Sequence, residues 1–414
     1  MQRQFFSLLV LLLLMTACAG HKHLGNPEAP YPPEKDPQVG DILHLPTGVY
    51  VTQEELFDQA GRVQIIYVGE THDNPASHRL QFDILQALTK NNPGKVTLGM
   101  EMFTPEQQPA LNRWTAGELD EKTFLKEVGW FENWRMNFAL YRDLLNFCKE
   151  NKIPVLALNA NKDLQKKVGR VPFEELSAEE QAQLPEMDLH DPYQRSMVEA
   201  VFSGHKMGNG VLDGFQRVQT LWDETMSQNI AEFVKMADKN EQIVVVAGGN
   251  HVRYGYGIPR RVFRRVPASY ILIGSQEIVI SEEKQDRLMN VKKPDYPMPP
   301  YHLVKFTEYE TLKDSGVKLG ILLGDEDENG IRVKGLIPGS VAEKVGLEKD
   351  DLLIQMDDIE LKEAFDLIYE LQQKKVGDKI ELTLKRGEAT LTLPVEFTEA
   401  EPKHQNMGMK HGKE

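Results

Sequence analysis

Apolar and polar positions alternate in blocks along most of this chain. Val63 to Val68 is a short, β-branched run that reads as a buried strand. Leu80, Ile84, Leu85 and Leu88 then recur at helical spacing, opened by Asp73-Asn74-Pro75 and closed by Pro93-Gly94. Val96 to Phe103, Ile153 to Leu158, Ile243 to Ala247 and Ala268 to Ile273 give four further strands. Residues 161–242 read as mostly helical, with loops near Pro172, Pro185 and Gly204 to Gly210; this stretch could form a lid. Strands alternating with helices predict an α/β domain with a parallel sheet flanked by helices. A helix-rich stretch after the second strand offers Trp114, Trp130, Phe131 and Trp134 as packing residues. Lys292 to Pro300 breaks the pattern and reads as a Pro-rich linker over residues 281–304. A small, mainly β unit follows over 305–397, and the polar tail 398–414 reads as disordered.

Composition narrows the class. A chain of 414 residues favours two domains, and 41% hydrophobic with 27% charged residues excludes a disordered or polytopic membrane protein. Lys and Arg total 48 against 63 Asp and Glu, a formal charge of −15, which argues against nucleic acid as partner. The two cysteines, Cys18 and Cys148, form no CxxC pair, so a four-cysteine zinc site is excluded. Cys148 falls in a predicted helix, Tyr141 to Lys149, as a small core residue.

The chain starts with an address. Arg3 precedes an apolar run from Phe5 to Met15, too short for a membrane span, and Thr16-Ala17 stands before Cys18. This resembles a bacterial lipobox, with Met15 where Leu is more usual. It implies a signal peptide over 1–17, lipidation (palmitate) of Cys18 and a tether over 18–44. Ala19 after the cysteine implies outer-membrane sorting in a host with two membranes, so the expected place is the cell envelope, facing periplasm or surface.

Four polar residues stand just past predicted strand ends: Glu70, Glu101, Asn159 and His251. Ligands bind outside the carboxyl ends of open parallel sheets, so these residues are expected to converge on one crevice. Glu70 and His72 could bind a metal or act as acid and base; so could Glu101 and His251. Neither HExxH nor GxSxG occurs, which removes a thermolysin-type site and the usual esterase nucleophile. Tyr254, Tyr256 and Tyr193 could supply a phenolate to ferric iron or simply pack. Arg253, with Arg260, Arg261, Arg264 and Arg265, could hold ligand carboxylates; a solvated helix face explains the last four equally.

Val68 to Asn74, His78, Gln81, Gly99 to Phe103, Gly249 to Arg253 and Gly257-Ile258-Pro259 together resemble the ChaN family of haem-binding lipoproteins, over about residues 45–280. The Gly249-Asn250-His251 motif also fits the wider grouping of Tiki-like metal-dependent proteases and the erythromycin esterase-like fold. The resemblance implies an α/β core with a helical lid, a lipid anchor, haem bound through tyrosine at a homodimer interface, and iron acquisition. Tyr254, Tyr193, His251, His72, His78 and Arg253 are then the haem-site candidates. The rival reading is a hydrolase or peptidase with Glu70, His72, Glu101 and His251 around a divalent metal ion.

Residues 305–397 carry a second resemblance. Lys318 to Leu323, Gly330 to Ala342, Asp350 to Met356, a helix from about Leu361 to Gln373 and Gly377 to Gly387 are similar to a PDZ domain. This implies docking of a peptide or protein terminus at Leu319-Gly320-Ile321, with Phe365 and Ile368 lining the side-chain pocket.

Overall fold

The five apolar runs become neighbouring strands of one sheet. In a computed structural model, which describes residues 32–203, 209–285, 295–313, 316–327 and 330–398, they are β3 (Ile65–Glu70), β4 (Val96–Met100), β5 (Val155–Ala157), β6 (Gln242–Gly248) and β7 (Tyr270–Ile280). They lie side by side in the order β7-β3-β6-β4-β5, all parallel. Burial on both faces explains their continuous apolar sequences: every residue of β3, β4 and β6 is buried.

The sheet is wider than the sequence predicts, and it is mixed. Three more strands, β1 (Ile42–His44), β2 (Val49–Val51) and β8 (Leu303–Tyr309), extend it to eight in the order β2-β1-β8-β7-β3-β6-β4-β5. β8 runs parallel to β7, while β1 is antiparallel to both β8 and β2. Two expectations are thereby corrected. Ile42–His44, placed in the tether, is a sheet strand. Leu303–Tyr309, divided between linker and second domain, also belongs to the first sheet, because its apolar side chains Leu303, Val304 and Phe306 are buried. The end of the expected linker is likewise structured, with Tyr296 and Tyr301 at 2% and 3% exposure.

Helix Pro75–Asn91 follows β3, capped by the Asn74 side chain with Pro75 in its first turn, as read from the sequence. The long helical stretch comprises Lys162–Arg170, Ala178–Gln181, Pro192–Ser203 and Asn209–Met236. Cys148 is buried in helix Arg142–Asn151, and burial pushes its thiol well above the usual range. Cys18 with the signal region, and the tail beyond 398, lie outside the described residues. Among the described residues no helix is long and apolar enough to cross a membrane.

The chain divides into two compact units: residues up to 115 with 146–310, and 116–145 with 311 onward. The second unit holds β9 (Ile321–Asp327), β10 (Gly330–Leu336), β11 (Leu352–Met356), β12 (Ile359–Glu360), β13 (Lys379–Arg386) and β14 (Ala389–Glu396). They pair antiparallel in the order β14-β13-β11-β10-β9, with β12 on β11.

An insertion from between β4 and β5 completes this unit. Lys122 bonds Glu370 at 2.9 Å and lies over the Tyr369 ring, Lys126 pairs with Glu363, and Phe131 packs on Phe365 with centroids 5.4 Å apart. These contacts cover one side of helix Ala364–Gln372. Phe365 is 3% exposed and engaged with the insertion, which corrects its expected place in a peptide pocket. Ile368 is half-buried on the same helix. Phe365→Ala is expected to cost about 3 kcal/mol in the unfolding of this unit, measured by denaturant titration of the full chain.

Candidate functional site

The sheet's carboxyl edge gathers the charged residues. Glu70 is the last residue of β3 and stands opposite Gly248 of β6. Glu101 directly follows β4, and His251 lies in the short helix Gly249–Val252 after β6. Asn159 follows β5; its amide donates to the Glu101 carbonyl at 3.0 Å and its oxygen accepts from the Ala160 N–H at 2.8 Å. Asn159 therefore holds backbone in place.

The side chains form one string. Glu70 Oε1 meets His72 Nδ1 at 2.6 Å, and Glu70 Oε2 accepts from Gln81 Nε2 at 2.6 Å with His78 Nδ1 at 3.6 Å. His78 Nε2–H donates to the His72 carbonyl. Glu101 Oε2 accepts the Gly248 N–H at 2.6 Å, and its Oε1 lies 3.3 Å from His251 Nε2. His251 Nδ1 reaches Asp223 Oδ1 at 2.6 Å, with Gln219 beside it at 3.0 Å. Asp223 Oδ2 accepts from Gln194. Gly248 must lack a side chain, because a Cβ there would come within 2.8 Å of His72 Nε2.

Burial opposes every charge in this string, and the partners overcome it. Desolvation raises Glu70, but His78, His72 and Gln81 hold it below the usual carboxylate range. Desolvation also raises Glu101, yet His251, His72 and the Gly248 amide bring it to about 2. Burial lowers His72 and His251; Glu70 and Glu101 lift the first to about 8, and Glu101 and Asp223 lift the second to about 10. Among the described residues no set of three or more His, Cys, Asp and Glu side chains is arranged to hold a metal ion. The hydrolase reading therefore gains no support from the donor set.

Beside the string is a small cleft of about 40 Å³, lined by apolar Met197, Val201 and Phe215 and by polar Gln194, Asp223, Arg253 and Tyr256. Four tyrosines cluster here. Tyr193, 38% exposed, stacks on Tyr256 at 4.9 Å; Tyr254 stacks on Tyr256 at 5.7 Å and tilts on Tyr296 at 4.7 Å. Tyr254 is packed in the cluster, and Tyr256 borders the cleft. The Tyr256 hydroxyl is buried with no hydrogen-bond partner among the described residues, and burial raises its pKa to about 12.

Of the arginine cluster, Arg260 pairs with Asp191, Arg261 and Arg265 with Glu224, and Arg264 with Asp188. These pairs are internal ties rather than a ligand surface. In the second unit, Leu319 is buried, Gly320 takes φ +81° with Ser340 packed against it, and Ile321 opens β9. Sequence reasoning missed Asp223, Gln219, Gln194 and Tyr301. The first two are polar positions one helical turn apart on a helix, a pattern shared by many solvated faces.

The family model described as haem-binding uptake, Tiki superfamily, ChaN matches residues 56–262, half of the chain. The chain belongs to the ChaN family. Beyond its ChaN domain it carries a PDZ domain, matched over 317–397. A structure of cofacial heme binding to ChaN of Campylobacter jejuni is 15% identical, with a TM-score of 0.50, covering 64% of this chain and 95% of that one; it shows the shared fold. The HtrA3 PDZ domain bound to a phage-derived ligand is 17% identical over 19% of this chain and 83% of that chain, with a TM-score of 0.18. Among curated proteins, RETICULATA-RELATED 5, chloroplastic, of Arabidopsis thaliana is 23% identical over 269 residues, 59% of this chain; the chain spans 35% of that relative's length.

The ChaN domain's string makes stability depend on pH. His251 is raised from 6.5 to about 10, so its contribution is full below pH 6.5 and is lost as pH rises toward 10. Glu101, lowered from 4.5 to about 2, contributes fully above pH 4.5 and loses that as pH falls toward 2. His251→Gln leaves Glu101 and Asp223 buried without their cation, at a cost of roughly 3 to 5 kcal/mol near pH 6. Unfolding free energies measured against pH are expected to show this gap narrowing between pH 6.5 and 10.

Proposed function

We propose that the ChaN domain binds haem in the cleft beside Tyr256, and that the chain is an extracytoplasmic, lipid-anchored protein of haem and iron acquisition. The observation that carries the haem reading is the buried Tyr256 hydroxyl, without a hydrogen-bond partner among the described residues, on the border of a cleft with apolar and polar lining. A phenol without a hydrogen-bond partner is costly to bury, and a phenolate is an established ligand of ferric haem iron. Tyr256 would hold the iron; Met197, Val201, Phe215 and the Tyr193 ring would face the macrocycle; Arg253 would take a propionate. Bound haem supplies a ferric centre that accepts an anionic oxygen. The donor set fits that group, since tyrosine and arginine match iron and carboxylate in turn. Tyr193 is exposed enough to meet a second copy, which favours a homodimer closing over the cleft. The reading is of a binding protein rather than an enzyme.

The PDZ domain in this proposal docks a protein or peptide terminus at Leu319-Gly320-Ile321, adding it to β9, which ends the strand order of its sheet. Attachment at Cys18 would place both domains on the envelope.

Titration of the full chain with ferric haem, followed by absorption and by size, is expected to give stoichiometric binding, a tyrosinate-type spectrum and a monomer-to-dimer shift. Tyr256→Phe is expected to lose that spectrum while Tyr254→Phe keeps it. A weak, non-saturating response of the unmodified protein would sink the haem reading. In a bacterial host, metabolic labelling with palmitate is expected to mark the chain and to be lost in Cys18→Ala; labelling that survives the change rules out the anchor.

A further inference from the structure

The end of the expected linker reaches into the site. Gly69 of β3, Gly249 after β6 and Gly274 of β7 have no left-handed backbone, so conformation does not demand glycine there. Space does. A Cβ at Gly274 would lie 2.3 Å from Cζ of the Tyr301 ring, one at Gly69 would lie 2.8 Å from the Tyr301 hydroxyl, and one at Gly249 would lie 3.0 Å from it. Three strand ends thus form a cradle for one phenol, which is 3% exposed.

The phenol has a task in that cradle. Its hydroxyl accepts from Arg253 Nε at 3.1 Å, and the guanidinium lies 5.8 Å from the ring centroid. The neighbouring Pro300 carbonyl accepts the Tyr254 N–H at 2.9 Å, which fixes the loop just after Arg253 in its left-handed turn (φ 58° at Tyr254). Arg253 lines the cleft. Four other arginines of the cluster have carboxylate partners within 3 Å, whereas Arg253 has none within 4 Å among the described residues. Guanidinium cannot shed its proton, so a half-buried one without an anion is an incomplete arrangement. Its fork matches a carboxylate.

We propose that Arg253 receives a carboxylate of the cleft ligand, and that Tyr301 is the positioning residue that fixes its guanidinium for that contact. The inference rests on the haem reading for its ligand class, a planar apolar ring system bearing carboxylates, and adds a residue outside the matched ChaN segment.

The test compares an iron-free dicarboxylate porphyrin with its dimethyl ester, so that iron ligation plays no part. The full chain is expected to bind the free acid about tenfold more tightly than the ester, the range of one charge-assisted hydrogen bond. Arg253→Gln should bring that ratio to about one. Tyr301→Phe removes one oxygen, leaves the ring in its cradle, and should reduce the ratio by about half on a logarithmic scale. In the double variant Tyr301→Phe should change nothing further. An unchanged ratio in Tyr301→Phe overturns the positioning role. Equal binding of acid and ester by the unmodified chain overturns the inference while leaving the haem reading intact, and binding of neither overturns both. Free-acid preference without a tyrosinate spectrum on haem addition sinks only the Tyr256 ligation. If Tyr301→Phe melts below the unmodified chain, Arg253→Gln decides the carboxylate contact alone, and retention of the ratio there overturns it.

Discussion

His251, held between Glu101 and Asp223, is the interaction on which the ChaN domain's site depends. Each partner comes from a different part of the fold: Glu101 from the end of β4, His251 from the turn after β6, and Asp223 from the middle of helix Asn209–Met236. Removing two carboxylates and an imidazolium from water is costly, and the cost is offset only while all three stay in register. Further bonds enforce that register. Gly248 donates to Glu101, Gln219 sits against His251, and Gln194 ties helix Pro192–Ser203 to Asp223. The helices over the sheet edge are therefore fixed by charge as well as by apolar contact. The same helices supply Met197, Val201 and Phe215 to the cleft.

Space at the sheet edge is the second constraint. Glycines there look like permission for a ligand to approach the backbone, yet much of the room they leave is filled by the protein itself: His72 over Gly248, and Tyr301 over Gly69, Gly249 and Gly274. The cleft opens to one side of these plugs, where Tyr256 and Arg253 border it. The charged string and the cleft share residues, since Asp223, Gln219 and Gln194 line the cleft together with Met197, Val201 and Phe215.

The sequence disclosed the sheet and its strand-end charges better than the cleft. Buried parallel strands are written as continuous apolar runs, so β3, β4, β5, β6 and β7 were readable, and the rule that ligands meet strand ends picked out Glu70, Glu101 and His251. Boundaries moved by a residue or two, and Glu70 proved to lie inside β3. Asp223, Gln219 and Gln194 left no local trace, because a polar residue on an amphipathic helix looks the same whether it meets solvent or a buried histidine. Tyr296 and Tyr301 were hidden by surrounding prolines, which suggested a spacer where the chain instead folds back into the site. Tyr254 and Tyr256 are two residues apart and both join the tyrosine cluster; that Tyr256 also lines the cleft is visible only in the packing.

The second unit shows the same limit at larger scale. Residues 116–145 are bounded by β4 and β5 in sequence, and nothing in their periodicity announces that Lys122, Lys126 and Phe131 complete a PDZ helix. The charges explain why they do so. Glu363, Asp366 and Glu370 give the helix an acidic side, and two lysines one turn apart on helix Glu121–Glu127 match it, with the Phe131–Phe365 contact excluding water beside them. Phe365 and Ile368 looked equivalent as apolar residues on one short helix. The insertion separates them: Phe365 joins a second core contributed by a distant stretch of chain, whereas Ile368 stays half-buried.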